Sequence, residues 1–112
     1  MAGKRRSEFL DWLLERLALL GPVNARAMFG GYGIYLDGMI FGIVVNDVFY
    51  LKTDAISRAD FEAVGCEPFR YEKKGRSTAL AYFELPADAL EDDAALLNWA
   101  RLGIEAALRA RR

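Results

Sequence analysis

The chain has 112 residues, of which 54% are apolar or aromatic and 28% charged, with a formal net charge of -1, a single cysteine and no histidine. These figures specify one folded domain with a core; they exclude a disordered chain, an internal disulfide, and the commonest general base and transition-metal ligand. A pI near 5.5 also argues against a broad phosphate-binding surface.

The N-terminal Lys4-Arg5-Arg6 reads as a solvated basic arm. No basic-then-apolar leader opens the chain and no apolar run approaches the ~20 residues of a membrane helix, so the expectation is a cytoplasmic protein that does not enter membranes. Ser7 is placed as an N-cap, with Glu8 and Asp11 suiting a helix N-terminus. Phe9, Leu10, Leu13, Leu14, Leu17 and Leu20 then recur at three- and four-residue steps, the stripe of a first helix that Gly21-Pro22 ends. Trp12 falls at the border of that stripe.

From Val23 to Lys52 the pattern changes to alternation, the mark of strands with one buried side. Ile34 and Leu36 share one side, then Phe41, Ile43 and Val45, then Phe49 and Leu51. Asp37-Gly38 and Asn46-Asp47 separate these runs and suit two-residue hairpin loops, so an antiparallel meander is expected. Gly30, Gly31 and Gly33 read as a sharp turn after a strand from Val23 to Phe29. They match no phosphate-cradling spacing, and a strand instead of a helix follows them.

A short helix is expected next, capped by Thr53 or Asp54, with Ile56, Ala59, Ala63 and Val64 inward, Phe61 at the margin and Gly65 as its stop. Pro68 to Glu72 and Ser77 to Leu85 read as a hairpin around Lys73-Lys74-Gly75-Arg76. The second of these strands is apolar on both sides, which predicts an interior place in the sheet or a cover by a second copy of the chain. After Pro86 a last helix runs from about Asp92 to about Ala110, its buried stripe being Leu96, Leu97, Ala100, Gly103, Ile104, Ala107 and Leu108, with Trp99 near the edge. Gly103 in mid-helix implies a close approach to a neighbour. The carboxylates Asp88, Glu91, Asp92 and Asp93 read as capping and dipole residues, not metal ligands. The order of elements is that of an α+β fold: two layers, with an antiparallel sheet of about six strands packed with helices.

Arg26-Ala-Met-Phe-Gly-Gly-Tyr-Gly-Ile-Tyr-Leu-Asp-Gly, Tyr50-Leu-Lys-Thr-Asp, Arg58-Ala-Asp-Phe-Glu, Glu67-Pro-Phe-Arg-Tyr and Trp99-Ala-Arg together carry a resemblance. Over most of its length the chain is similar to the N-terminal domain of the TfoX/Sxy family, regulators of competence genes. The resemblance implies a type III secretion chaperone-like fold and a link to transcriptional control of DNA uptake, in which the best-known members act with the cyclic-AMP receptor protein. Those members carry a second, C-terminal domain, and residues 1–112 read as a single stand-alone domain. The resemblance supplies no catalytic residues and no cofactor.

The function expected is therefore a regulatory protein-binding domain, a homodimer whose partner is a transcription factor such as the cyclic-AMP receptor protein or a polymerase component. Trp12 and Trp99 are the candidate partner surface, because border tryptophans are favoured at interfaces. The alternative is direct nucleic-acid binding by a patch of Lys52, Arg70, Lys73, Lys74 and Arg76. An enzyme is not expected. Cys66 lacks a histidine to activate it and follows a helix-ending glycine, while Ser7, Ser57 and Ser77 each have a use as cap or strand residue.

Overall fold

The computed structural model describes residues 7–28, 30–73 and 75–111; for 72–73 and 76–80 the description is of the backbone. The basic arm, Phe29, Lys74 and Arg112 lie outside it. Six strands, β1 (Val23–Met28), β2 (Gly31–Leu36), β3 (Met39–Val45), β4 (Val48–Lys52), β5 (Pro68–Lys73) and β6 (Arg76–Glu84), form one sheet in the order β1-β2-β3-β4-β6-β5. Every neighbouring pair is antiparallel. The strand with two apolar sides, β6, does lie inside the sheet, between β4 and β5.

Three helices, α1 (Glu8–Leu17), α2 (Arg58–Ala63) and α3 (Asp93–Ala110), pack on one face. Leu10, Leu13, Leu17, Phe61, Leu96 and Ala100 from these helices share a core with Ile34, Val44, Phe49, Leu51 and Phe83 of the strands. Burying each of the larger of these side chains contributes about 1.5–3 kcal/mol, so the shared helix–sheet face holds the fold together.

Local chemistry explains where the elements begin and end. The Leu10 N–H donates to Ser7 Oγ at 3.0 Å, and the Ala94 N–H to Asp92 Oδ1 at 3.0 Å, so both long helices carry the cap their sequences call for. Between α1 and β1 a single 3-10 turn, Ala18–Leu20, tightens the exit before Gly21. Both hairpin loops of the meander take positive φ at two positions, 54° at Asp37 with 82° at Gly38, and 52° at Asn46 with 62° at Asp47. A Cβ at Gly103 would stand 2.9 Å from the Phe41 carbonyl oxygen and 2.9 Å from Leu51 Cδ2. Helix α3 therefore crosses β3 and β4 at this glycine, as its mid-helix position implied.

Three expectations are corrected. Phe41, Ile43 and Val45 do not share a face. Ile34 pairs with Gly42 and Tyr35 with Ile40, so Phe41 is an extra residue bulging from β3 toward the helices. Beyond it the alternation is reset: Gly42 and Val44 face the helices opposite Leu51 and Phe49, while Ile43 faces the other way opposite Tyr50. The short helix is also rotated. Phe61 is 0% exposed, whereas Ile56 is 69% and Val64 56% exposed. The reason is that residues 54–57 form a capped turn before helical geometry starts at Arg58. The Ile56 and Ser57 N–H groups donate to Asp54 Oδ1, and the Asp54 N–H donates back to Ser57 Oγ at 3.2 Å. Leu108, placed in the buried stripe of α3, is 48% exposed.

Candidate functional site

With all helices on one side, the other face of the sheet carries the alternate residue of every strand. The backbone register lines five of them up in one row across the sheet: Arg26 of β1 pairs with Gly33, Gly33 with Ile43, Ile43 with Tyr50, and Tyr50 with Glu84 of β6. A neighbouring row brings Tyr35 opposite Ile40 on one side and Lys52 opposite Tyr82 on the other. Ile43, at the middle of the first row, is closed over by its neighbours, while Tyr35, Ile40, Tyr50, Lys52, Tyr82 and Glu84 are half-buried.

Cations and rings interleave on this open face. The Arg26 guanidinium lies 4.9 Å from the Tyr35 ring centroid and the Lys52 ammonium 5.5 Å from that of Tyr82, both within cation–π range. Tyr50 meets Phe69 edge-on at 5.0 Å, and Phe69 stacks on Tyr71 at 6.4 Å. Burial, and after it the nearby Glu84 carboxylate, pushes the Tyr50 hydroxyl above its ordinary pKa; burial, then Tyr35, does the same to Tyr82. These tyrosines therefore stay neutral at physiological pH. The surface they build is aromatic, with the Arg26 cation on the edge strand β1 and the Glu84 carboxylate on β6.

A second concavity lies on the helix side, at the margin between α2 and the outer strands. This groove of about 600 Å³ is lined by Thr53, Asp54, Arg58, Glu62, Cys66 and Arg70, among others. Its charges are largely committed to structure. Arg109 Nε and Nη2 donate to Asp54 Oδ2 and Oδ1 at 2.5 and 3.0 Å, tying the end of α3 to the turn before α2. The Arg109 hydrogen bond holds the Asp54 carboxyl well below the usual carboxylate range, with the Ser57 and Ile56 N–H groups adding to it. Arg58 pairs with Glu62 at 3.3 Å. Burial raises the Cys66 thiol, and Glu84 and Asp88 raise it further, so it is protonated at neutral pH and poorly nucleophilic.

The residues singled out in the sequence are dispersed. Trp12 is half-buried, stacks on Phe9 at 5.9 Å and holds the Arg16 guanidinium 4.6 Å from its ring centroid. Trp99, also half-buried, packs 4.9 Å from Phe61 and lines a shallow hollow with Val64, Cys66 and Pro86. Lys52 and Arg70 fall on opposite faces: Lys52 follows the core residue Leu51 and covers Tyr82 on the open side, while Arg70 lines the groove beside Phe83. Lys74 lies outside the described residues, as do the side chains of Lys73, Arg76 and Ser77. The open face itself was visible in the sequence only as apolar residues on both sides of β6. The Asp54–Arg109 pair joins residues 55 positions apart, and no local pattern signals it.

A six-stranded antiparallel sheet covered by helices on one side, with an aromatic, charged face on the other, defines an α+β domain with one sheet face left uncovered by its own helices. The chain belongs to the TfoX N-terminal domain family, whose profile matches residues 15–107. It is 33% identical over 79 residues to the DNA transformation protein TfoX1 of Aliivibrio fischeri, an alignment that takes in 70% of this chain and 38% of that protein. It is 29% identical over 97 residues to protein Sxy of Escherichia coli, covering 85% of this chain and 46% of Sxy. The chain thus spans less than half the length of these curated relatives. Among the described residues, no helix is long and apolar enough to cross a membrane.

Proposed function

We propose that this domain is a competence-type regulatory module that works by binding protein, as a homodimer and through a transcriptional partner such as the cyclic-AMP receptor protein or a polymerase component. The observation that carries this reading is membership of the TfoX N-terminal domain family together with similarity to a protein named for DNA transformation. The chemistry of the surfaces supports it. In the groove Arg58 is paired with Glu62 and burial raises the Cys66 thiol, while the open sheet face presents aromatic rings and the Arg26 guanidinium, residue types favoured where proteins meet. Trp12 and Trp99 belong to this proposal as helix-side contacts for the partner.

The test is affinity capture from lysate of the host cell, with and without nuclease. A transcription factor or polymerase subunit retained after nuclease treatment is the expected result. Loss of every specific partner on nuclease treatment overturns the proposal in favour of direct nucleic-acid binding by Lys52, Arg70, Lys73, Lys74 and Arg76. That alternative requires binding that weakens steeply with salt, since each phosphate neutralised releases counterions.

A further inference from the structure

The geometry points to the open sheet face as the homodimer interface, with Arg26 of each copy paired to Glu84 of the other across a two-fold axis that passes over Ile43. This deepens the dimer element of the function proposed above and is independent of which transcriptional partner is bound. The argument begins with the row of register-paired residues Arg26, Gly33, Ile43, Tyr50 and Glu84. Its two ends carry opposite charge, and its central member is Ile43. With strands about 4.8 Å apart, the two charges stand about 19 Å from each other, each about 10 Å from the middle.

A two-fold axis running in the interface along β3 lays one sheet on another with β1 over β6 and β6 over β1. The positive end of each row then meets the negative end of its mate, twice by symmetry, as an isologous contact requires. In the neighbouring row the same operation sets Tyr35 over Lys52, extending the cation–ring pattern already present within each copy. Aligned sheets pack with their strands rotated by about 30°, which displaces a charge at a ~10 Å arm by about 5 Å. The long Arg26 side chain, exposed and lying along the surface, spans that offset.

A second copy fits this face better than a nucleic acid does. A phosphate backbone laid along the row meets the Glu84 carboxylate at one end, and two of the rings it would stack on, Tyr35 and Tyr82, are already partnered by cations. A second copy converts the same carboxylate into an attraction. The footprint places the interface in a size class. Five strands, each about 4.8 Å wide, by about 17 Å of strand give roughly 400 Å² in projection per copy, which with side-chain relief falls at the small end of specific interfaces. Self-association in the micromolar range is the expectation.

The decisive experiment is sedimentation equilibrium of the purified full chain, as wild type, Arg26→Glu, Glu84→Arg and the double reversal. The wild type is expected to dimerise. Each single reversal sets two like-charge pairs against each other and is expected to weaken the dimer at least about tenfold, and the double reversal is expected to restore it. A wild type that stays monomeric overturns both this interface and the homodimer reading. A dimer indifferent to the reversals overturns the interface alone. Either result leaves the regulatory proposal to be judged by the capture experiment. Should a reversal fail to fold, dilution of the wild type followed by NMR decides: signals of Tyr35, Tyr50 and Ile43 are expected to shift, and shifts confined to the helix side refute the proposal. Binding of an oligothymidylate that quenches the tyrosines of a monomeric chain likewise refutes it.

Discussion

The two faces of one sheet are made from the same strands, residue by residue in alternation, yet they solve opposite problems. On the helix side Ile34, Phe41, Phe49 and Leu51 are sealed from solvent. On the open side their immediate neighbours Tyr35, Ile40, Tyr50 and Lys52 are half-buried, and all but Ile40 carry a polar end. The covered face is built from groups that have only hydrophobic surface to contribute. The open one uses amphipathic side chains that are stable in water and still offer area to a second molecule. The difference separates stability from association: substitutions on one face should move unfolding, and those on the other should move binding.

The largest effect expected on the covered face is from Phe61→Ala. Phe61 is fully buried between Phe83 and Trp99, and its removal should destabilise by about 3–5 kcal/mol, read as a lower urea midpoint. A smaller loss there would mean that α2 collapses into the space. Gly103→Ala comes next. A Cβ there overpacks against the Phe41 carbonyl and Leu51, at about 1–3 kcal/mol, and the roughly 1 kcal/mol gain in helix propensity offsets part of this. A net loss of about 1 kcal/mol in urea unfolding is expected; a net gain would show that α3 sits more loosely on the sheet.

Asp54→Asn removes the charge that Arg109 grips while leaving an oxygen for the Ile56 and Ser57 N–H groups. Because the folded carboxyl titrates below its unfolded value of about 3.9, its contribution is complete above that pH and declines as pH falls toward the folded value. The urea midpoints of wild type and variant should therefore differ near neutrality and converge in acid; a constant gap would refute the ionic role. The smallest effect belongs to the open face. Tyr71, 39% exposed, should change stability by no more than about 0.5 kcal/mol on replacement by Ser. Thermal melts check this, and a large loss would erase the distinction between the faces.

Much of the architecture was legible because it is encoded locally. Ser7, Asp92, Gly65 and the two hairpin pairs each act within three or four residues of themselves, and their side chains report the backbone they need. Gly103 was legible for a related reason: a glycine that weakens its helix implies something close by. Non-local features were not legible. The bulge at Phe41 depends on how β2 and β3 pair, so simple alternation carried Ile43 and Val45 to the wrong side. In the short helix the turn built on Asp54 delayed helical geometry and turned Phe61 inward, where the spacing of Ile56, Ala59 and Ala63 had placed it at the margin. The opposite charges at the two ends of the Arg26-to-Glu84 row emerge only when five strands are set in order, because the two residues are far apart in sequence. Lys52 and Arg70 show the converse, basic residues grouped as one patch that the sheet divides between its faces.

The bulge has one further consequence. It lets β3, Met39–Val45, bury four successive residues, 41–44, in the middle of the sheet, and those seven residues include no charge and no proline. Such a segment is prone to cross-β assembly once its edges are free. In the native domain both edges are occupied, by β2 and β4. Solubility therefore depends on how seldom the meander opens, and the rate at which concentrated protein deposits fibrils becomes a measure of that opening.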